Sequence, residues 1–116
     1  MVKLAAAASI RITRGDMWLA ALDPTVGSEI QKTRPCVIIS PPEMHSYLRT
    51  VMVAPMTTGS RPAPFRIPVS FACKSGLILL DQLRTLDKQR LVRRLGALQP
   101  RTLQATLACL RDVFAD

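Results

Sequence analysis

The sequence is poor in the residues from which many catalytic and metal sites are built. It has one histidine, and its three cysteines, Cys36, Cys73 and Cys109, form no Cys-x-x-Cys pair. Neither a zinc site nor a disulfide framework is therefore predicted. The sequence also has no glycine-rich phosphate loop and no carboxylate cluster suited to Mg²⁺. We expect no metal and no cofactor. The thiols are expected to be free and mostly buried, in a reducing, cytoplasmic compartment. The single histidine, His45, is expected to lie at the surface.

Aromatic residues and long apolar runs are scarce as well. Aromatic residues make up 4% of the 116 residues, and no apolar run approaches the roughly 18 residues of a membrane span. We therefore expect no membrane protein. Hydrophobic residues at 48% and charged residues at 21% are typical of a chain that folds, and its length is typical of one domain. The apolar stretch at the start is too short for a signal peptide, so residues 1–12 are expected to form a flexible tail.

Acidic residues are outnumbered by basic ones. Sixteen Lys and Arg residues against eight Asp and Glu residues give a formal net charge of +8 at pH 7, and twelve of the sixteen basic residues are arginines. Arginine holds phosphate oxygens through a planar fork, so the composition favours nucleic acid or another polyanion as the partner. A basic, soluble surface without such a partner is the alternative that charge alone leaves open.

Short apolar and β-branched segments, bounded by Gly, Pro and Asp, predict a β-rich fold. The segment Asp23–Thr33 predicts a long, mobile loop, and Pro55 is predicted to end the third strand. The predicted strands are Met17–Leu22, Cys36–Ser40, Thr50–Ala54, Phe65–Phe71, Gly76–Leu80, Leu83–Leu86 and Arg90–Leu98, the last being a strand or a short helical turn.

The C-terminal segment predicts a helix. Pro100 suits the first helical position, and four apolar residues follow at the spacing of one helical stripe: Leu103, Leu107, Leu110 and Phe114. Together these elements predict a mostly β (α+β) fold, a small and mostly antiparallel β barrel with one C-terminal helix.

Two polar segments at strand ends suit a reaction that needs neither a metal nor a cofactor. RNA can be cleaved by its own 2′-hydroxyl, and the protein then has to orient the ribose, neutralise the growing charge and move two protons. Arg34 stands between the predicted loop and an apolar strand, with Pro35 beside it, and Thr57 and Thr58 follow Pro55. Strand-end capping by threonine and a solvated arginine explain the same residues equally well.

Five segments, in order, resemble the MazF/PemK (Kid) family of toxin endoribonucleases. They are Arg14–Trp18, Asp23–Glu29, Thr33–Pro35, Ala54–Thr58 and Leu80–Asp87. The resemblance implies one toxin domain over residues 13–116, with an SH3-like barrel that forms a twofold homodimer. It also implies cleavage of single-stranded RNA without a metal, with 2′,3′-cyclic phosphate and 5′-hydroxyl ends, and control by a cognate acidic antitoxin.

The resemblance also implies roles for individual residues. Arg34 and Thr57 match the catalytic pair of the family, and Glu29, or a water molecule, is expected to take the 2′-proton. No metal ligand is implied. Contacts with RNA are expected from six further residues: Ser28, Lys32, Thr58, Asp81, Gln82 and Arg84.

Two other functions fit parts of the sequence. A CcdB-like gyrase-binding toxin has a similar barrel but acts through a C-terminal Trp-Gly-Ile tail, whereas this chain ends Phe114-Ala115-Asp116 and has its sole tryptophan at Trp18. A non-catalytic RNA-binding barrel explains the charge, but such modules normally stack bases on exposed aromatic residues. The few aromatic residues here occupy positions that mostly favour burial, so the endoribonuclease is the favoured function.

Overall fold

Seven strands and two helices make up the part of the chain that the computed structural model describes, residues 11–22, 26–29 and 32–116. The strands are β1 (Asp16–Ala21), β2 (Thr33–Ile38), β3 (Thr50–Thr57), β4 (Arg66–Phe71), β5 (Lys74–Leu79), β6 (Arg84–Asp87) and β7 (Leu91–Ala97). Helix α1 spans Pro42–His45, helix α2 spans Pro100–Val113, and 3₁₀ turns span Leu80–Gln82 and Lys88–Arg90. Each predicted strand is present, and the seventh is a strand rather than a helical turn. Residues 1–10 of the expected tail and residues 23–25 and 30–31 of the expected loop lie outside the described residues.

Strand β3 is the centre of one antiparallel sheet. The strand order is β4-β5-β3-β2-β1-β7, and β6 pairs with β3 outside that path. Residues Thr50–Val53 of β3 pair with β6, whereas Met56 and Thr57 pair with β5. The prediction that Pro55 ends the third strand is wrong, because β3 runs on to Thr57. Pro55 has no N–H to donate and lies where β3 changes its partner from β6 to β5, which is a position that tolerates proline.

Both faces of the central strands are buried, each in its own apolar cluster. Met17 and Val37 belong to one cluster, which Leu110 of α2 joins, whereas their neighbours Trp18 and Cys36 belong to the other. This alternation is the period of two that a strand imposes on its side chains. Leu103 and Leu107 pack against the first cluster, as the helical stripe predicts. In the described part of the chain, no helix is long and apolar enough to cross a membrane.

Three of the five aromatic residues are exposed, so the prediction that most are buried is wrong. Phe114 is 72% exposed because α2 ends at Val113, which leaves the ring beyond the last helical turn. Tyr47 follows α1, and Phe65 lies in the turn before β4 rather than within that strand. Trp18 is buried, and Phe71 is half-buried.

The prediction of a surface position for His45 is also wrong, because its half-buried ring joins three segments of the fold. Nδ1 lies 2.9 Å from the carbonyl oxygen of Ile12, which can only accept, so Nδ1 donates. Nε2 lies 2.7 Å from the Ser40 hydroxyl, whose oxygen accepts the N–H of Met52 at 3.0 Å. The ring therefore ties α1 to the segment before β1 and, through Ser40, to β3.

The three cysteines are free, but they differ in exposure. Cys36 is buried, and this burial raises the pKa of its thiol to about 12. Cys109 is half-buried in α2. Cys73 is exposed because it lies in the turn between β4 and β5, so the expectation of mostly buried thiols is wrong for this residue.

The turn that joins β4 to β5 has an unfavourable backbone conformation. Phe71 pairs with Lys74 across the hairpin, so Ala72 and Cys73 form a two-residue turn. Their φ angles are both positive, at 52° and 62°. Turns with two positive φ angles normally carry Asn-Gly, because a Cβ is crowded in the left-handed region. The tip of this hairpin is therefore strained.

Cys73→Gly is expected to stabilise the protein. A Cβ in the left-handed region costs roughly 1–2 kcal/mol, and the greater flexibility of glycine in the unfolded chain offsets part of that gain. The free energy of unfolding should therefore rise by about 0.5–1 kcal/mol, which urea unfolding followed by circular dichroism can measure. Cys73→Ser keeps the Cβ and should change the free energy little. An equal gain in both variants would assign the effect to loss of the thiol instead of the backbone.

Candidate active site

An open pocket of about 240 Å³ lies where three segments of the sheet meet. Strand β2 contributes Arg34 and Pro35, and the end of β3 contributes Met56 and Thr57. The remaining lining residues are Thr58, after β3, and five residues of the β4–β5 hairpin: Val69, Phe71, Ala72, Lys74 and Gly76. The pocket therefore joins the two polar segments that the sequence singles out, Arg34 and Thr57-Thr58.

The register of β2 and β3 explains why Arg34 and Thr57 share the pocket. Cys36 pairs with Pro55 in antiparallel orientation. Arg34 lies two residues before Cys36, and Thr57 lies two residues after Pro55, so both lie at the same end of the strand pair and on the same face as each other. Arg34 and Thr57 are half-buried, whereas Thr58 is exposed.

The Thr57 hydroxyl has a local role in the turn after β3. Its oxygen accepts the backbone N–H of Gly59 at 3.2 Å. This is the strand-end capping that the sequence leaves open as an alternative for threonine. A hydroxyl also donates one hydrogen bond, and accepting from Gly59 leaves that donor unused by the turn. Capping and contact with a ligand are therefore compatible at this residue.

The pocket carries positive charge. Arg34 and Lys74 contribute a guanidinium and an ammonium group, and no carboxylate is found among the described residues that line the pocket. Thr57 and Thr58 add two hydroxyls beside these cations. This set of donors suits an anion with several oxygens, such as a phosphodiester. Among residues 11–22, 26–29 and 32–116, no group of three or more His, Cys, Asp or Glu side chains could hold a metal ion.

The predicted loop residues lie outside this pocket. Glu29 is exposed, and its Oε1 accepts the backbone N–H of Val26 at 2.5 Å. Ser28 and Lys32 are also exposed, and Lys32 has a positive φ of 67°. None of these three residues lines the pocket. A catalytic role for Glu29 and RNA contacts for the other two stay predictions.

Three of the predicted RNA contacts also lie outside the pocket lining: Asp81, Gln82 and Arg84. Both carboxylate oxygens of Asp81 are bonded to Arg66, with Nε at 3.1 Å and Nη2 at 3.0 Å. This hydrogen-bonded pair lowers the pKa of the Asp81 carboxyl. Arg84 donates from Nη1 to the carbonyl oxygen of Leu22 at 3.2 Å, and Gln82 is half-buried in the 3₁₀ turn. Their contact with RNA also stays a prediction.

Sequence reasoning missed the side of the pocket that the β4–β5 hairpin forms. Phe71 and Lys74 belong to segments where strands are predicted, but strand prediction alone does not show what the hairpin packs against. The available signal is Gly76, because a glycine inside a strand pattern indicates a close backbone approach. A Cβ at Gly76 would lie 2.8 Å from the carbonyl oxygen of Thr57, so only glycine lets the hairpin pack this closely on the end of β3.

Several known proteins resemble this chain in sequence. Residues 13–114 match the family model described as PemK-like, MazF-like toxin of type II toxin-antitoxin system. An endoribonuclease MazF from Staphylococcus epidermidis is 42% identical over 90 residues, which cover 72% of this chain and 75% of that protein. An endoribonuclease PemK from Escherichia coli is 34% identical over 107 residues, which cover 87% of this chain and 80% of that protein.

Solved structures share the fold. MazF from Deinococcus radiodurans matches with a TM-score of 0.77 at 22% identity, covering 88% of this chain and 94% of that one. An endoribonuclease from a mycobacterial species, in complex with its cognate antitoxin, matches with a TM-score of 0.73 at 22% identity, covering 87% and 92%. These matches confirm the predicted mostly antiparallel β fold with a C-terminal helix. Because the family model spans nearly the whole chain and both sequence relatives exceed 30% identity, the chain belongs to the family of PemK-like and MazF-like toxins of type II toxin-antitoxin systems.

Proposed function

We propose that this toxin is a cytoplasmic endoribonuclease that cuts single-stranded RNA in the pocket between β2, β3 and the β4–β5 hairpin. The observation that carries the proposal is the gathering of Arg34, Thr57, Thr58 and Lys74 in one pocket whose described lining has no carboxylate. A phosphodiester is the ligand that such donors suit. The names of the relatives, endoribonuclease MazF and endoribonuclease PemK, support the same reaction.

The proposed reaction is attack of an RNA 2′-hydroxyl on the adjacent phosphorus. A bond forms between the 2′-oxygen and phosphorus, and the bond from phosphorus to the 5′-oxygen breaks. The products are a 2′,3′-cyclic phosphate and a 5′-hydroxyl end, because a base takes the 2′-proton and the leaving 5′-oxygen takes a proton from solvent water. The nucleophile is already beside the phosphate, so the reaction requires orientation, charge stabilisation and proton transfer rather than a metal-bound water.

Arg34 is proposed to stabilise the charge on the non-bridging phosphate oxygens. Its planar guanidinium can contact two oxygens at once. A guanidinium keeps its proton at neutral pH and is a poor proton donor, so we assign it charge stabilisation rather than acid catalysis. The Thr57 hydroxyl donates to one of the same oxygens while its oxygen still accepts the N–H of Gly59.

The base that takes the 2′-proton is proposed to be Glu29 or a water molecule. The Glu29 carboxylate accepts the N–H of Val26 and lies outside the pocket lining. Glu29 can act only if its loop turns that carboxylate towards the bound ribose. A water molecule between the ribose and the pocket needs no such movement.

Cleavage is expected to proceed fully in EDTA. The products should carry 2′,3′-cyclic phosphate and 5′-hydroxyl ends, because internal attack creates both and needs no metal. Incubating purified protein with a labelled single-stranded RNA and identifying the ends by mass spectrometry tests both claims. Loss of cleavage in EDTA with rescue by Mg²⁺ would overturn the metal-free reaction. Binding without cleavage would favour the non-catalytic RNA-binding barrel.

Arg34→Lys is expected to lose most activity, because a point charge does not hold two phosphate oxygens in register. Thr57→Val should reduce kcat by about a hundredfold, which is the usual effect of removing one donor to developing charge. Thr57→Ser keeps the hydroxyl and should stay within a few-fold of wild type. Single-turnover cleavage rates of the folded variants measure these effects.

Matched controls for these variants lie on exposed parts of the fold. Arg101→Lys on α2 and Thr85→Val on β6 make the same chemical changes at exposed positions that do not line the pocket. Both should cleave at the wild-type rate. If Arg34→Lys and Thr57→Val cleave as fast as these controls, the active site lies elsewhere.

We further propose that the toxin is a homodimer and that an acidic antitoxin segment occupies the basic pocket. The net charge of +8 and the cations of the pocket favour an acidic segment. The mycobacterial relative in complex with its cognate antitoxin supports a partner of this kind.

The homodimer is open to direct measurement. Sedimentation velocity at micromolar concentration should give twice the mass of one chain, since twofold dimers are the commonest closed assembly of identical chains. RNA cleavage measured on the same sample links the assembly to activity. A sample that is monomeric and fully active would contradict this prediction.

A further inference from the structure

The pocket has an apolar wall that the proposed cleavage chemistry does not use. Besides its cations and hydroxyls, the pocket is lined by Pro35, Met56, Val69 and Phe71. A phosphate and a ribose offer little apolar surface to such a wall. The flat apolar part of a single-stranded RNA is the nucleobase, which proteins hold by stacking on aromatic rings.

The pairing of the β4–β5 hairpin explains why this wall faces the pocket. Val69 pairs with Gly76, and Phe71 pairs with Lys74. Partners across an antiparallel pair, and residues two apart on a strand, share one face, so all four residues lie on the same face of the hairpin. Gly76 has no side chain, so the hairpin packs closely on the end of β3, where a Cβ would lie 2.8 Å from the carbonyl oxygen of Thr57, and this contact brings Val69 and Phe71 into the same pocket as Thr57.

Phe71 is held in place while part of its ring surface stays accessible. The residue is half-buried and packs against the first core cluster, which contains Met56. It also immediately precedes the strained turn at Ala72 and Cys73. A ring anchored in this way loses little conformational entropy when a base stacks on it.

Lys74 lies directly across the hairpin from Phe71 and is exposed. Its ammonium group is the second cation of the pocket, beside Arg34. If Arg34 holds the phosphate that is cut, Lys74 can bind the next phosphate along the strand. An aromatic ring next to a cation is the combination that binds single-stranded nucleic acid.

We propose that Met56, Val69 and Phe71 form a subsite for one nucleobase beside the cleaved phosphate, and that Lys74 binds the phosphate next to it. This inference rests on the proposed function. The subsite prefers a purine, because two fused rings present more surface for stacking than one. It adds a specificity-determining residue, Phe71, and a positioning residue, Lys74, to the proposed Arg34–Thr57 pair.

The base preference is tested with Phe71→Leu and Phe71→Tyr. Leucine keeps the apolar contact with the core but removes the aromatic face, whereas tyrosine keeps that face. We expect wild type and Phe71→Tyr to favour a purine at one position beside the cut in a randomised single-stranded RNA pool. Phe71→Leu should lower that purine-to-pyrimidine ratio about five- to tenfold. An unchanged ratio in folded Phe71→Leu, or no purine preference in wild type, would overturn the subsite.

The phosphate contact is tested with Lys74→Gln and Lys74→Arg. Lys74→Gln should raise KM about tenfold with little change in kcat, and should reduce the slope of log affinity against log salt by about 0.7, the value of one phosphate on a single strand. Lys74→Arg should restore both values. Arg101→Gln on α2 is the control for loss of one exposed positive charge. If Lys74→Gln changes the salt slope no more than Arg101→Gln does, Lys74 makes no phosphate contact.

Binding measurements separate the failure of this inference from failure of the proposed function. Fluorescence anisotropy with RNA oligonucleotides that differ at one base reports the purine preference and the salt slope without cleavage. If wild-type protein does not cleave RNA, the proposed function fails, and the anisotropy of the Phe71 and Lys74 variants still decides the subsite. If wild-type protein cleaves and the variants match it in both assays, the inference fails and the endoribonuclease stands.

Discussion

The pairing of β2 with β3 is the constraint on which the pocket depends. Cys36 opposite Pro55 sets the register that carries Arg34 and Thr57 to the same end of the sheet. Both faces of this strand pair are buried, so a slip by one residue would move Val37 and Ile38 into each other's cluster and expose the wrong side chains. The apolar core therefore fixes the relative position of the two polar residues.

Strand β3 also provides the second wall of the pocket, because it changes partner at Pro55. Beyond that residue β3 pairs with β5, whose hairpin is brought onto Thr57 at Gly76. The hairpin tolerates the strained Ala72-Cys73 turn because its strands are paired along their whole length, from Arg66 to Leu79. The strain is thus supported by an extended ladder, and the turn keeps Phe71 and Lys74 as direct neighbours.

The sequence predicts those parts of the molecule that depend on local patterns. Apolar runs between prolines and glycines identify the strands, and the apolar stripe after Pro100 identifies α2. Failures occur where tertiary contacts override a local rule. Pro55 continues its strand because β3 changes partner there, and His45 is half-buried because the carbonyl of Ile12 and the Ser40 hydroxyl accommodate its ring.

In the candidate site, too, some residues can be predicted from the sequence and others cannot. Arg34 and Thr57 follow from strand ends and from the family resemblance, since neighbouring antiparallel strands bring opposite ends together. Phe71 and Lys74 cannot be predicted in this way, because their place in the pocket depends on the packing of one hairpin against another strand. That packing is set by the close approach at Gly76, which no periodicity in the sequence encodes.

The net charge of +8 is a poor count of the groups that can bind RNA. At least five of the twelve arginines donate to carbonyl or carboxylate oxygens within the fold, which leaves fewer of their N–H groups for a ligand. These arginines are Arg14, Arg66, Arg84, Arg90 and Arg94. They keep their charge and so add to the long-range field that attracts a polyanion. Short-range contact with phosphate depends on which cations line the pocket, and among the described residues Arg34 and Lys74 are the two that do. The composition therefore indicates the class of ligand, whereas the strand register determines where that ligand is bound.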